Sequence, residues 1–175
     1  FRSESDNWAI MGAAFAGFRK GNHIITTKIE HPAVKNICRY LEHFGFDITW
    51  MDVDRNGFVK PEEIEKAVRK DTILISVMTA NNEIGTIQPV YEIGKIAKHH
   101  KVIFHTDAVQ AFCHIPIDVE QIQADLLSGS SHKFGGPKGM GFLYIRKGTE
   151  INSYMHGGHQ ERGMRAGTGN VPGAV

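Results

Sequence analysis

The sequence is poor in cysteine, which removes two common kinds of small fold. Its 175 residues include only two cysteines, Cys38 and Cys113. They do not form a Cys-x-x-Cys pair, so neither a disulfide framework nor a zinc knuckle is indicated. We therefore expect two reduced cysteines that pack in the interior.

Charge of one sign and long apolar runs are also missing. Twenty basic residues against 19 acidic ones leave a formal charge of +1, which gives no electrostatic reason to expect nucleic acid or an anionic membrane as a partner. No apolar run approaches the roughly 20 residues that a membrane-spanning helix needs, and residues 1–4 do not resemble a leader. We expect a cytoplasmic protein that acts on a small molecule.

What is present is an alternation of helical and strand patterns. The chain is 41% hydrophobic, which suffices for the core of one globular domain. Ser3 or Ser5 is predicted to cap the first helix and Gly21 to end it. Helices are predicted at 3–19, 32–41, 61–69, 89–100 and 117–127, and strands at 23–27, 46–53, 72–78, 102–104, 126–131 and 141–145. This order predicts an α/β fold with a mainly parallel sheet flanked by helices.

Ligands of open parallel sheets bind beyond the carboxyl ends of the strands. The polar residues that follow four of the predicted strands are His31, Asn82, Asp107 and Lys133. The sequence therefore predicts a ligand site built from these side chains.

Two of the strand ends leave alternatives open. Asp107 and Gln110 could face one ligand, or Asp107 could simply cap the segment that follows it. Lys133 lies between hydroxyl groups and a glycine-rich turn that could cradle phosphate, although the spacing is not that of a Walker loop. The same turn could also be an ordinary surface turn with solvated lysines.

Five segments, taken together and in order, resemble a known family. They are Lys28–Pro32, Asn81–Thr86, His105–Gln110, Ser130–Gly139 and Gly157–Thr168. The combination is similar to the class I cysteine desulfurases of the NifS/IscS type, which are fold-type-I pyridoxal-phosphate enzymes related to the class V aminotransferases. The likeness runs from Ser3 to Val175.

The resemblance implies a role for each matching residue near the cofactor ring. Lys133 would form the internal Schiff base with pyridoxal 5'-phosphate, and Asp107 would pair with the protonated ring nitrogen and keep that proton in place. Gln110 and Asn82 resemble the partners of the phenolic oxygen. His31 resembles the catalytic histidine that stacks on the ring and assists proton transfer.

The resemblance also implies a phosphate site and a dimer. Ser130 and His132 resemble phosphate ligands, and Ser3 would add donors at the start of the first helix, where the helix dipole favours an anion. Thr168 resembles the residue that reaches the phosphate of a neighbouring subunit, which implies a homodimer.

The implied reaction removes sulfur from L-cysteine, giving L-alanine and an enzyme persulfide for an iron–sulfur scaffold or another acceptor. The family's nucleophilic cysteine and substrate-binding arginine have no counterpart in residues 1–175. We therefore expect a partial pyridoxal-phosphate-binding large domain, without the N-terminal segment and the C-terminal small domain. Phe1 and Arg2 also stand where the family has a small, glycine-rich approach, and Cys113 where glycine is usual.

Two other interpretations remain open at this stage. One is a metal-dependent hydrolase with His105, Asp107 and His114 as ligands, although their spacing matches no metal motif. The other is a truncated domain that folds and pairs with a second subunit without doing chemistry. Our expectation is a site without a metal.

Overall fold

The computed structural model describes all residues from 1 to 175, and they form one six-stranded sheet flanked by helices. The strands are β1 His23–Thr27, β2 Asp47–Met51, β3 Thr72–Ser76, β4 Ile103–Asp107, β5 Leu126–Ser130 and β6 Gly141–Ile145. The α-helices are α1 Arg2–Gly17, α2 Pro32–Glu42, α3 Pro61–Ala67, α4 Val90–His100, α5 Val119–Ile122 and α6 Val171–Ala174. Two short 3₁₀ helices span Ser131–Lys133 and Gln160–Gly163.

The strand order is β2-β1-β3-β4-β5-β6. All neighbouring strands are parallel except β6, which runs antiparallel to β5. Every residue of β1, β3 and β5 is buried, as expected for strands that helices cover on both faces. The predicted α/β fold with a mainly parallel sheet is confirmed.

Two apolar layers lie on opposite faces of the sheet. Ile24 of β1 joins the layer formed by α1 and α2, whereas the next residue, Ile25, joins the layer formed by α3, α4 and α5. Successive strand residues point to opposite faces, so the unbroken apolar runs of the central strands serve both layers at once. The polar ends of these strands are thereby held at one edge of the sheet.

The capping prediction for the first helix is wrong. Helix α1 begins at Arg2, after Phe1, and ends at Gly17, four residues before Gly21. Ser3 and Ser5 lie inside the helix, and the Ser5 hydroxyl donates to the backbone oxygens of Phe1 and Arg2. A serine that bonds back to its own helix in this way is not available as a cap.

The helix predicted at 117–127 is also too long. Helix α5 spans only Val119–Ile122: Asp118 caps its start, and Gln123 ends it in the left-handed conformation with φ of 58°. The helix packs so closely on α4 that a Cβ atom at Gly94 would lie 1.8 Å from the backbone oxygen of Ile122. Leu126 is already part of β5, which leaves no room for a longer helix.

The two cysteines differ in environment. Cys38 is fully buried in the apolar layer beside α1, as predicted, but Cys113 is exposed, so the prediction that it packs in the interior is wrong. None of the helices combines the length and the apolar character required to cross a bilayer.

Candidate active site

Asp107, the last residue of β4, is the central polar group at the carboxyl edge of the sheet. It is only 1% exposed. Its Oδ1 atom accepts a hydrogen bond from the backbone N–H of Val109 at 2.9 Å, so the local turn explanation for this residue is correct as far as it goes. Its Oδ2 atom lies 2.8 Å from Nε and 2.7 Å from Nη2 of Arg2. The carboxylate therefore pairs with a cation.

A second acidic residue, Asp6, lies one helical turn beyond Arg2. Its Oδ2 atom is 3.8 Å from Nε of Arg2, and neither of its carboxylate oxygens has a hydrogen-bond partner of good geometry. Burial, and then the charge of Asp107, raise the pKa of Asp6 well above its ordinary value, against the opposing effects of Arg2 and the nearby Ser128 hydroxyl. Asp6 is not recognisable as a site residue from the sequence, because an acidic residue in a helix carries no signal of its burial.

His105 lies two residues before Asp107 and is completely buried between strands. Its Nδ1 atom is 2.9 Å from the Ser76 hydroxyl of β3, and its Nε2 atom is 3.0 Å from the Ser128 hydroxyl of β5. Burial lowers the pKa of His105 to about 3, so the ring is neutral and links three strands. With both ring nitrogens engaged, His105 does not form the proposed hydrolase cluster with Asp107 and His114. No group of three or more His, Cys, Asp or Glu side chains in residues 1–175 is positioned to hold a metal ion.

Glu30, which sequence analysis also missed as a site residue, fixes the end of β1. Its Oε1 atom accepts hydrogen bonds from the Thr27 hydroxyl at 2.8 Å and from the backbone N–H of Met78 at 2.9 Å. Its Oε2 atom is buried without a partner. Burial raises the pKa of Glu30 to about 8, so this carboxyl group is mostly protonated at neutral pH. Its position directly before His31 is the only sequence feature that marks Glu30, and this feature does not reveal that the carboxyl group is buried.

His31 is the N-cap of α2. Its Nδ1 atom accepts a hydrogen bond from the backbone N–H of Ala33 at 3.1 Å, which leaves the proton of the neutral ring on Nε2. Burial, and then the positive charge of Arg2, lower the pKa of His31, while Asp107 raises it and Lys133 lowers it further. His31 therefore lies within electrostatic reach of both Asp107 and Lys133, and the predicted site residues from three strand ends share one region.

Lys133 occupies the 3₁₀ helix that follows β5, and it is exposed. Its backbone oxygen accepts a hydrogen bond from Nε2 of His114 at 2.9 Å. In the same turn, the hydroxyl of buried Ser130 lies 2.9 Å from Nδ1 of His132. A Cβ atom at Gly136 would lie 2.7 Å from the Cβ of Ser131, so the turn closes only around glycine. A fixed hydroxyl and imidazole pair thus stands beside the free amine.

The remaining predicted residues lie around this centre with different degrees of exposure. Ser3 is exposed, and together with His31 it lines a cavity of about 550 Å³ between the starts of α1 and α2. Gln110 is half-buried three residues after Asp107, and Asn82 is exposed in the loop after β3. Ser3 is the second residue of α1 and so lies at the helix start, and its role as a donor to phosphate stays a prediction.

The loop of Asn82 is held by its neighbour, Asn81. The Asn81 Nδ2 atom donates to the backbone oxygen of Ile29 at 2.9 Å, and its Oδ1 atom accepts from the backbone N–H groups of Glu83 and Ile84. The first asparagine of the pair therefore has a structural role, and it ties the loop to the segment that leads into His31.

Thr168 lies apart from the central cluster, in an exposed segment near the C-terminal end of the chain. The segment is attached to α1, because Nε of Arg165 donates to Oε1 of Glu4 at 2.7 Å. Thr168 is thus on the side of the domain where α1 begins. No hydrogen bond or ion pair of the Thr168 side chain indicates what it binds.

Comparisons with known proteins agree with this arrangement. The sequence profile of the family described as aminotransferase class-V matches residues 2–175. The cysteine desulfurase IscS of Methanosarcina thermophila is 61% identical over 173 residues, covering 99% of this chain and 43% of the relative. The corresponding protein of Dictyoglomus turgidum is 60% identical over 173 residues, covering 99% and 44%.

Solved structures give the same result. SspA in complex with cysteine superposes with a TM-score of 0.95 at 45% identity, over 98% of this chain and 50% of that one. A NifS-like protein superposes with a TM-score of 0.95 at 48% identity, over 98% and 48%. The chain spans less than half the length of the curated relatives it matches. With a matching profile over nearly all of its residues and the strand-end site described above, the chain belongs to the aminotransferase class-V family, in which it is similar to the cysteine desulfurases.

Proposed function

We propose that this chain forms the cofactor-binding part of a cysteine desulfurase, which removes sulfur from L-cysteine and leaves L-alanine. The single observation that carries the proposal is the buried carboxylate of Asp107 at the end of β4, which pairs with Arg2. Asp107 and Lys133 both shift the pKa of His31, so both side chains lie within electrostatic reach of that histidine. The relatives' names, and the SspA structure with cysteine, support this substrate.

The residues fit pyridoxal 5'-phosphate as the cofactor. A buried carboxylate that pairs with a cation suits a protonated ring nitrogen, and the exposed amine of Lys133 suits the cofactor aldehyde. When bound, the cofactor supplies an electron-withdrawing ring that stabilises negative charge on the substrate. One contact stands against easy loading, since Arg2 already holds Oδ2 of Asp107.

Side chains of this chain have the remaining proposed roles, which are to hold the ring and to move protons. Asp107 keeps a proton on the ring nitrogen, because a buried anion strongly favours its cationic partner. His31 is fixed by its bond to Ala33, so its Nε2 atom is the one free to hold or pass a proton. Asn82 and Gln110 are proposed to hydrogen-bond the ring's phenolic oxygen, as in the family.

We assign the phosphate to the other end of the site. The hydroxyl and imidazole of Ser130 and His132 already face each other at 2.9 Å, beside a glycine-rich turn that can bring backbone N–H groups close to an anion. Ser3 adds a hydroxyl at the start of α1, where the helix dipole favours negative charge.

The wider setting is proposed on the same basis. Residues 1–175 would be most of a large domain, and a homodimer would place Thr168 of one subunit at the phosphate of the other. An iron–sulfur scaffold or another acceptor would take the sulfur from a cysteine outside these residues. The free thiols of Cys38 and Cys113 fit the reducing cytoplasm.

The test is covalent capture of the cofactor. Protein incubated with pyridoxal 5'-phosphate, treated with borohydride and digested should carry the cofactor on the peptide that contains Lys133. The Lys133→Ala variant should lose both the adduct and the visible absorbance, whereas Lys138→Ala, an exposed lysine in the same turn, should keep them. Unmodified protein, or an adduct that survives Lys133→Ala, would contradict the proposal. Release of sulfide and alanine from L-cysteine then distinguishes an enzyme from a domain that only binds.

A further inference from the structure

The guanidinium group of Arg2 pairs with Asp107, the carboxylate that is proposed to pair with the cationic ring nitrogen of the cofactor. Its Nε and Nη2 atoms both lie within 2.8 Å of Oδ2 of Asp107, and Arg2 is only 7% exposed. The other carboxylate oxygen accepts from the backbone of Val109. Both oxygens of Asp107 are therefore engaged before any ligand arrives, and charge-assisted contacts of this kind are among the stronger ones in proteins.

Asp6 is a second carboxyl group with which the same guanidinium can pair. It lies four residues further along α1, and Nε of Arg2 is 3.8 Å from its Oδ2 atom. Both oxygens of Asp6 are buried without a hydrogen-bond partner, whereas Nη2 of Arg2 lies 2.7 Å from Oδ2 of Asp107. Buried polar atoms are normally paired, so the two unpaired oxygens of Asp6 mark a carboxyl group that lacks a hydrogen-bond donor.

We propose that Arg2 is a displaceable substitute for the cofactor's ring nitrogen, which pairs with Asp107 in the cofactor-free protein and turns to Asp6 when the ring nitrogen takes Asp107. The inference rests on the proposed function, since it needs pyridoxal 5'-phosphate as the ligand. No covalent bond forms or breaks in this exchange; one cation replaces another at a single carboxylate.

The physical reason is competition between like charges in a buried site. A guanidinium and a protonated ring nitrogen repel each other where water does not screen them, so both cannot remain at Oδ2 of Asp107. Loading the cofactor must therefore break the Arg2 contact. Asp6 offsets this cost, because its carboxyl group has no hydrogen-bond partner, lies 3.8 Å from Nε of Arg2 and can ionise when it receives the displaced cation.

The experiment measures dissociation constants for pyridoxal 5'-phosphate by absorbance titration. Arg2→Ala should bind the cofactor about tenfold more tightly, since loss of one charge-assisted contact is worth roughly 1.5 kcal/mol or more. Asp6→Asn should bind it more weakly, because the displaced guanidinium then meets no carboxylate. In the double variant the Asp6→Asn effect should vanish, because there is no guanidinium to receive.

A cofactor analogue with carbon in place of the ring nitrogen provides the specificity control. It carries no cation for Asp107, so Arg2→Ala should not improve its binding as it improves that of the natural cofactor. Arg19→Ala, which removes an exposed arginine just beyond α1, should leave both affinities unchanged. Circular dichroism checks folding. If Arg2→Ala does not fold, Arg2→Lys carries the test, because lysine lacks the planar fork and should compete less.

The outcomes separate this inference from the proposed function. Weaker cofactor binding by Arg2→Ala would show that Arg2 holds the cofactor and would overturn the inference, as would an equal gain for the analogue. Cofactor capture on Lys133 with identical affinities for the parent and Arg2→Ala would refute the inference alone. Absence of capture on Lys133 would refute both.

Discussion

The carboxyl group of Glu30 accepts a hydrogen bond from the backbone N–H of Met78 at 2.9 Å, and this bond joins the carboxyl ends of β1 and β3. The group is fully buried, and burial raises its pKa to about 8 from 4.5. Between these two values the folded protein holds a proton that the unfolded chain has lost. The contribution of Glu30 to stability is therefore complete below pH 4.5 and is lost as the pH rises towards 8.

Glu30→Gln should remove this pH dependence. Glutamine keeps the oxygen that accepts from Thr27 and Met78 but cannot ionise. The difference in free energy of unfolding between the variant and the parent should shift by several kcal/mol in favour of the variant from pH 5 to pH 8. Urea denaturation at the two pH values measures it, with exposed Glu83→Gln as the control. An equal difference at both pH values would show that Glu30 does not titrate as described.

The two roles of His31 can be separated by substitution. His31→Asn should keep the helix cap of α2, because asparagine is a good N-cap acceptor, whereas His31→Ala should lower the free energy of unfolding by about 1 kcal/mol. Both variants lack the imidazole, so both should lose turnover of L-cysteine in the complete enzyme.

Urea denaturation and a sulfide release assay measure the two effects separately. His43→Ala, at an exposed histidine beyond the other end of α2, should change neither. Full activity in His31→Asn would show that the residue contributes only its cap.

Gly94 should not tolerate a side chain. In an ordinary helix, Gly→Ala stabilises by about 1 kcal/mol. In α4, however, the new Cβ would lie 1.8 Å from the backbone oxygen of Ile122, so Gly94→Ala must push α5 away and should cost about 2 kcal/mol or more. Thermal unfolding measures this cost. Gly169→Ala, where a Cβ atom would meet nothing within 4 Å, should be nearly neutral, and equal effects at both positions would contradict the packing described.

The two cysteines should react at very different rates. Burial raises the pKa of the Cys38 thiol far above its usual range, and the side chain has no access to solvent, while Cys113 is exposed. A thiol reagent should therefore label one cysteine in the folded protein and two after denaturation. Mass spectrometry of Cys113→Ser and Cys38→Ser identifies the labelled site, and rapid labelling of Cys38 in the folded state would be inconsistent with its burial.

Much of the fold could be predicted from hydrophobic periodicity. The strands at 23–27 and 141–145 were predicted with their observed bounds, because short β-branched or apolar runs flanked by glycine and polar residues have few alternatives. Helix α5 was predicted too long because it ends at Gln123 in the left-handed conformation, three residues before β5 begins, and a local apolar pattern does not show this end.

In the candidate site, too, some features could be predicted from the sequence and others could not. The placement of Asp107, His31 and Lys133 could be predicted, because each lies at or shortly after the carboxyl end of a strand, and parallel strands bring these ends together. Asp6 and Glu30 could not, since their importance comes from burial among other charges rather than from residue type. The contact of Arg2 with Asp107 joins residues 105 positions apart and has no sequence signal.

The Asp107 carboxylate and the Lys133 amine lie on parts of the fold that differ in burial. Asp107 is embedded among central strands, while Lys133 stands on an exposed turn whose course depends on glycine at position 136. Substitutions at Asp107 should therefore affect folding as well as the site, whereas substitutions in the lysine turn should change mainly the position of the amine and leave the domain folded.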